Sequence, residues 1–215
     1  MGGDSYETII SYPQWNGGDS TNGAAWQIRM SDTNVLLTDF SNATTWQFNG
    51  THSDLPPLEI HKWNHVALVR SGTSIKIYAN GVASSSSYNI GSNSITVASA
   101  FTVSTQILAI GGYSGDSQDL GAYIADLRIV NGTAVYTDTF TPPTTKLTDI
   151  TNTKLLLSVD SNRFKDSSSV NRSISTTGSP RIEAFSPYAK PNTVTQDLSI
   201  AGGSFVYDGT NDGIS

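Results

Sequence analysis

The chain has 215 residues, a formal charge of −6, 37% hydrophobic and 14% charged residues, 19 Gly, 8 Pro and no Cys; that length suits one large domain or one domain plus an incomplete second. The twelve Lys and Arg are scattered among eighteen carboxylates, which argues against nucleic acid as a partner because phosphate binding needs clustered cations. No apolar run approaches the ~20 residues of a spanning helix, and the lack of cysteine removes disulfides, thiolate metal sites and cysteine nucleophiles together.

About a quarter of the chain is Ser or Thr, so the surface is expected to be polar but mostly uncharged. The opening stretch, MGGDSYETII, lacks the basic and apolar regions of a signal peptide, and an intracellular origin or export by another route is expected. Helical periodicity is almost absent, and the pattern is all-β. Residues 24–30 (AAWQIRM), 34–40 (NVLLTDF) and 44–48 (TTWQF) read as short meander strands separated by Asp32-Thr33-Asn34 and Ser41-Asn42-Ala43. Residues 63–70 (WNHVALVR) and 74–79 (SIKIYA) follow as strands rich in β-branched and aromatic residues. In the second, Ile75, Ile77 and Ala79 alternate with Lys76, Tyr78 and Asn80 to give one buried and one wet face, and Asn80-Gly81 supplies a type I′ turn.

Residues 84–104 are Ser-, Thr- and Asn-rich and read as a long loop with a weak strand at 95–97. Strands are expected at 106–111 (QILAIG) and 121–130 (GAYIADLRIV). Thr141-Pro142-Pro143-Thr144 then stops pairing, because proline has no amide hydrogen to donate. Beyond it, 152–159 (NTKLLLSV) is a strand, 160–200 is turn-rich, and 203–215 (GSFVYDGTNDGIS) is a short strand followed by a turn.

Two groups of residues carry chemistry by composition alone. Tyr12-Pro13-Gln14-Trp15-Asn16-Gly17-Gly18-Asp19 places an aromatic pair beside amides and a carboxylate in a Gly-rich loop, which is what stacking on a pyranose face and bonding its hydroxyls requires. Tyr12, Trp15, Asn16 and Asp19 are therefore candidate ligand residues, with Tyr113 beside Asp116 a second choice; a loop tryptophan folded over the sandwich edge or buried in a subunit contact is the competing reading. Trp26, Trp46 and Trp63 alternate with polar residues inside strands and read as core. His61 and His65 have the i, i+4 spacing that binds zinc on a helix, but they fall in a strand, where they share a face with Trp63, and a packed or hydrogen-bonded His65 is the preferred reading. Sequons at Asn42, Asn49, Asn131 and Asn171 carry no weight without a secretory route.

Three blocks together carry a resemblance: 63–81, 121–129 and 203–212. They resemble the laminin-G-like, concanavalin A-like lectin/glucanase domains. The stretch 124–157, with Val130-Asn131-Gly132-Thr133-Ala134-Val135-Tyr136 and Phe140-Thr141-Pro142-Pro143, is similar to the version repeated in structural and fibre proteins of tailed, notably marine, phages. Leu155-Leu156-Leu157, the turn Asp166-Ser167-Ser168-Ser169 and the block 203–212 resemble the opening of such a repeat, which here comes last. The expected organisation is a laminin-G-like β-sandwich over 1–157 that lacks its usual opening strands, and a turn-rich linker with the opening strand of a repeat over 158–215. That terminal strand completes the same sandwich or a neighbouring one, so the chain is a fragment of a longer protein, a circular permutant or a strand donor.

The resemblance implies a concanavalin A-like antiparallel β-sandwich of jelly-roll type. It also implies a structural calcium, with Asp126 the matching ligand and Asp208, Gly209 and Asp212 nearby, though no cofactor is required; the alternative is that Asp208 and Asp212 only bracket a tight turn. Enzymatic relatives cleave glycans with two glutamates close together on one strand. The only glutamates here, Glu7, Glu59 and Glu183, are far apart, and Asp116 with Asp119 reads as solvated loop, so no catalysis is expected. The resemblance implies a non-enzymatic module of a virion surface, on a fibre, tail or capsid, made in the host cytoplasm. Its expected partners are other virion subunits, copies of itself and host-surface glycans. A purely structural decoration protein is the alternative, and a polysaccharide-cleaving enzyme comes third.

Overall fold

The computed structural model describes residues 6–12, 26–41, 46–85, 88–89, 107–112, 118–158, 164–183, 185–188, 204–206 and 213–214. Strands β2 (Trp26–Ser31), β3 (Leu36–Ser41) and β4 (Trp46–Thr51) form the expected meander, and an unexpected strand, β1 (Tyr6–Tyr12), pairs with β2 at its edge. It is extended past β1 by β9 (Ala109–Ile110), β16 (Gly213–Ile214) and β13 (Thr176–Thr177) into a seven-stranded sheet. β5 (Val66–Ser71), β6 (Ser74–Ala79), β7 (Val82–Ala83) and β8 (Tyr88–Asn89) make a second sheet, and β11 (Leu127–Val130) pairs with β12 (Thr153–Leu157). A three-stranded sheet runs β10 (Tyr123–Ile124), β15 (Ser204–Val206), β14 (Arg181–Glu183).

Every pairing is antiparallel, and one apolar cluster joins the sheets. Ile10, Ile28 and Leu36 of the large sheet meet Ile77, Ala79, Leu155 and Leu157 of the smaller ones, with Ile124 and Ile182 packed against them. This is a β-sandwich: the longer strands send alternate side chains to a shared interior.

β6 alternates as its sequence dictates at Ile75, Ile77 and Ala79, all buried. Its second face is not wet at Tyr78, which is 1% exposed because the Phe140 ring covers it at 5.5 Å. Asn80 and Gly81 both take positive φ, 50° and 84°, as the type I′ connection between Tyr78↔Ala83 and Ala79↔Val82 requires. The turn also docks the later chain, for Phe140 donates its amide to the Gly81 carbonyl at 3.0 Å.

Several expected boundaries shift. The strand expected at 121–130 is two, β10 and β11, because Asp126 between them adopts a left-handed φ of 51°. The strand expected at 63–70 begins only at Val66, and His61, with φ 60°, sits in a turn; His61, Trp63 and His65 are therefore not on one strand face. Residues 160–200 contain β13 and β14 as well as turns. The weak strand expected at 95–97 lies outside the described residues.

A buried carboxylate makes most of the side-chain bonds that tie back the chain after β12, with Asp149 adding one to the Ser169 amide at 2.8 Å. Asp166, 1% exposed, accepts the amides of Leu156 (2.9 Å), Ser168 (2.9 Å) and Arg172 (2.8 Å) and the Ser168 hydroxyl (2.9 Å). These donors hold its carboxyl below the usual range although burial opposes them.

Candidate functional site

Of the expected ligand residues, Tyr12 ends β1 and its ring lies 6.3 Å from that of Trp26, which packs against the core as expected. Trp15, Asn16, Asp19 and Tyr113 lie outside the described residues, as does the side chain of Trp46. Asp119, expected in a solvated loop, is 8% exposed; Gly112, with φ +111°, passes so close that a Cβ there would sit 2.3 Å from its Oδ1.

The expected core tryptophan Trp63 belongs instead to an aromatic group nearer the surface. Its ring stacks on Phe185 at 5.1 Å and 29° and meets the edge of Tyr123 at 6.4 Å, while Tyr123 and Phe185 stand edge to face at 5.2 Å. Phe185 is 51% exposed and Tyr123 46%. Three separate segments deliver these rings: the approach to β5, strand β10, and the chain just after β14.

Strand register fixes what lies beside them. Tyr123 and Arg181 both pair with Val206, from its two sides, whereas Ile124 and Ile182 both pair with Phe205. Residues paired across a sheet share a face, so the isoleucines, packed on the core, define the inner face, and Tyr123, Arg181 and Glu183 the outer one. Arg181 and Glu183 are exposed and form no ion pair with each other or with any described residue.

The same three segments carry a second, polar group two or three residues further along. His65 follows Trp63, Asp126 follows Tyr123 and Tyr188 follows Phe185. The Asp126 carboxylate accepts the Leu147 amide at 2.8 Å and the Tyr188 hydroxyl. Burial pushes the Asp126 carboxyl up, and burial together with the facing carboxylate pushes the Tyr188 hydroxyl up. His65 stands edge-on to Tyr136 at 5.8 Å and Phe140 at 5.3 Å, and burial, with Arg128 adding to it, holds its imidazole below the ordinary value.

Asp126 is the one member of the expected calcium set among the described residues; Asp208, Gly209 and Asp212 lie outside them. Protein donors already hold its carboxylate. Among the described residues no three His, Asp or Glu side chains converge as a metal site. The described residues therefore do not make a calcium cage.

Elsewhere the buried polar groups are structural. On the large sheet, Asp39, wholly buried, takes Arg29 at 2.7 Å and Gln27 at 2.8 Å, and the Arg29 guanidinium lies 4.7 Å from the centre of the Tyr6 ring. Burial raises the Asp39 carboxyl even so.

Antiparallel sheets packed around one apolar interior, with no helix among the described residues, define an all-β sandwich. Residues 3–139, well over half the chain, match the family described as the concanavalin A-like lectin/glucanases superfamily, in its laminin-G form, and the chain belongs to that superfamily. No curated protein and no solved structure matches it. The family match ends before β14 and β15, so two of the three strands that build the outer aromatic face lie beyond it.

Proposed function

We propose that the protein is a non-catalytic, carbohydrate-binding module displayed on a virion surface. The observation that carries the non-catalytic reading is where the three glutamates sit. Glu7, on β1, accepts the Gly121 amide at 3.3 Å; Glu59 lies in a loop paired with Lys62; Glu183 is on β14. Glycoside cleavage needs an acid and a nucleophile or base flanking one bond, and no strand of the sandwich carries two glutamates.

Membership of a lectin and glucanase superfamily supports carbohydrate as the ligand class. The place on a virion is supported by the similarity of 124–157 to repeats of phage fibre proteins, and with it go other virion subunits as partners. Weak single sites would act through many copies on one particle. The test is to incubate the protein with host envelope polysaccharide, measuring retention and new reducing ends together. Retention without new ends is expected; a steady release of reducing ends refutes the non-catalytic reading, and no retention refutes the binding one.

A further inference from the structure

We infer that the outer face of the three-stranded sheet, with Phe185 and Tyr123 as its stacking surface and Arg181 and Glu183 as its hydrogen-bonding groups, is the site that takes a neutral hexopyranose polymer. The inference rests on the carbohydrate-binding reading and names its site and ligand class.

Phe185 stacks on Trp63 yet remains half exposed, so the ring is supported from beneath and still presents surface to solvent. A ring fixed by a second ring below it loses little freedom when a ligand covers it. Tyr123 sets the edge of this surface and is held by both other rings. The aliphatic C–H face of a pyranose is the natural partner of such an aromatic surface, and its hydroxyls then point sideways.

The sideways groups are present. Arg181 lies in the same row as Tyr123, two strand spacings or about 10 Å across the sheet, and Glu183 follows on the same face. Arg181 offers only donors and Glu183 only acceptors. Together they can bond both the oxygens and the hydrogens of neighbouring hydroxyls. A purely apolar partner would leave both charges without a counterpart, at a desolvation cost. The two charges cancel locally while the chain carries −6 overall, which selects a neutral polymer over a uronate or sulfated one. β14 and Phe185 lie beyond residues 3–139, the stretch that matches the family, whereas Trp63 and Tyr123 lie within it.

The experiment uses the full chain on an array of neutral gluco-, manno- and galacto-configured oligosaccharides beside uronate and sulfated ones, with Phe185→Ala and Glu183→Gln compared. Phe185 is exposed enough that its removal should leave the fold intact, which a melting curve checks; should Phe185→Ala melt early, Glu183→Gln carries the same test. The expected result is binding to neutral glycans, weakened about tenfold by Phe185→Ala and measurably by Glu183→Gln. Wild-type binding that neither variant weakens overturns this site while leaving the carbohydrate reading intact. Binding to the acidic glycans alone overturns the ligand class, and binding to none of the array overturns both. Self-association that Phe185→Ala abolishes would make the face a contact between copies and overturn the inference.

Discussion

Replacing Asp166 by Asn tests how the chain beyond β12 is held. One oxygen of the carboxylate accepts the Leu156 and Ser168 amides and the other the Arg172 amide and the Ser168 hydroxyl, all between 2.8 and 2.9 Å. The amide side chain keeps one acceptor oxygen and sets an N–H₂ where the second stood. The serine hydroxyl can turn to accept from it, but the Arg172 N–H then faces a donor. Three bonds fall from charged to neutral strength, roughly 1 kcal/mol each, and one amide loses its acceptor for about 1–3 kcal/mol. The sum, about 4–6 kcal/mol, is a large share of the ~5–15 kcal/mol that holds a typical domain and predicts a fall in Tm of roughly 8–24 °C.

Urea titration at neutral pH measures this cost, and the acid limb supplies a control. The Asp166 carboxyl is held below its ordinary 3.8, so its contribution is fully present above that value and is lost as pH falls through the lower, folded value. The difference between wild type and Asp166→Asn should therefore shrink below about pH 4. A cost under about 1 kcal/mol at neutral pH, or a difference that does not narrow with acid, would refute the account of Asp166 as the anchor of this turn.

Gly81→Ala places a Cβ 1.8 Å from the Phe140 carbonyl oxygen at a φ of +84°; a loss of about 2–4 kcal/mol is expected by chemical denaturation, from left-handed strain plus the broken Phe140–Gly81 bond. His65 and His52 both lie below the ordinary 6.5, so the unfolded chain takes up protons first and stability declines as pH falls through 6.5 toward the folded values; His65→Phe should flatten part of that slope in melts run across this range. Arg29→Ala strands the buried Asp39 and should cost about 3–5 kcal/mol, most of it recovered when Asp39→Leu accompanies Arg29→Met; an Arg29→Ala variant as stable as wild type would show that the pair contributes nothing. The fold is expected to need no calcium: EDTA treatment should leave Tm unchanged, and a saturable rise on adding the ion would place a cation at Asp126 or beyond.

Much of the sandwich was legible because burial on one face imposes a period of two. β6 is bounded as its alternation dictates, and Asn80-Gly81 turns where a type I′ pair should. β1 was not foreseen, because a bulge between Thr8 and Ile10 moves its alternation onto the other face midway and erases the period. Asp126 broke the stretch 121–130 into two strands without a Gly or Pro beside it to announce the break. Tyr78 looked solvent-facing because what covers it, Phe140, is sixty-two positions away.

The aromatic face was hidden for a related reason. Trp63 read as a strand core residue, yet its neighbours Tyr123 and Phe185 come from distant segments, and β14 is three residues long in a proline-bounded stretch. Only the shared partner β15 puts Tyr123 and Arg181 in one row. The local signals that did suggest a sugar site, an aromatic pair among amides, pointed to Tyr12 and Trp15, and Tyr12 packs on Trp26.

The position of β15 between β10 and β14 also sets a clock. Tyr123 and Val206 are eighty-three positions apart, and pairing over such separations is slow because the intervening chain must be ordered first. At ~5–20 residues per second a ribosome needs about 4–17 s to cross that gap. Until Phe185 and then β15 are made, the nascent chain carries Trp63 and Tyr123 without the ring and the strand that pack on them, an unpaired edge beside bare aromatic rings. The surface inferred to bind glycans is thus among the late parts of the sandwich to form and, until it closes, is prone to aggregate and to engage chaperones.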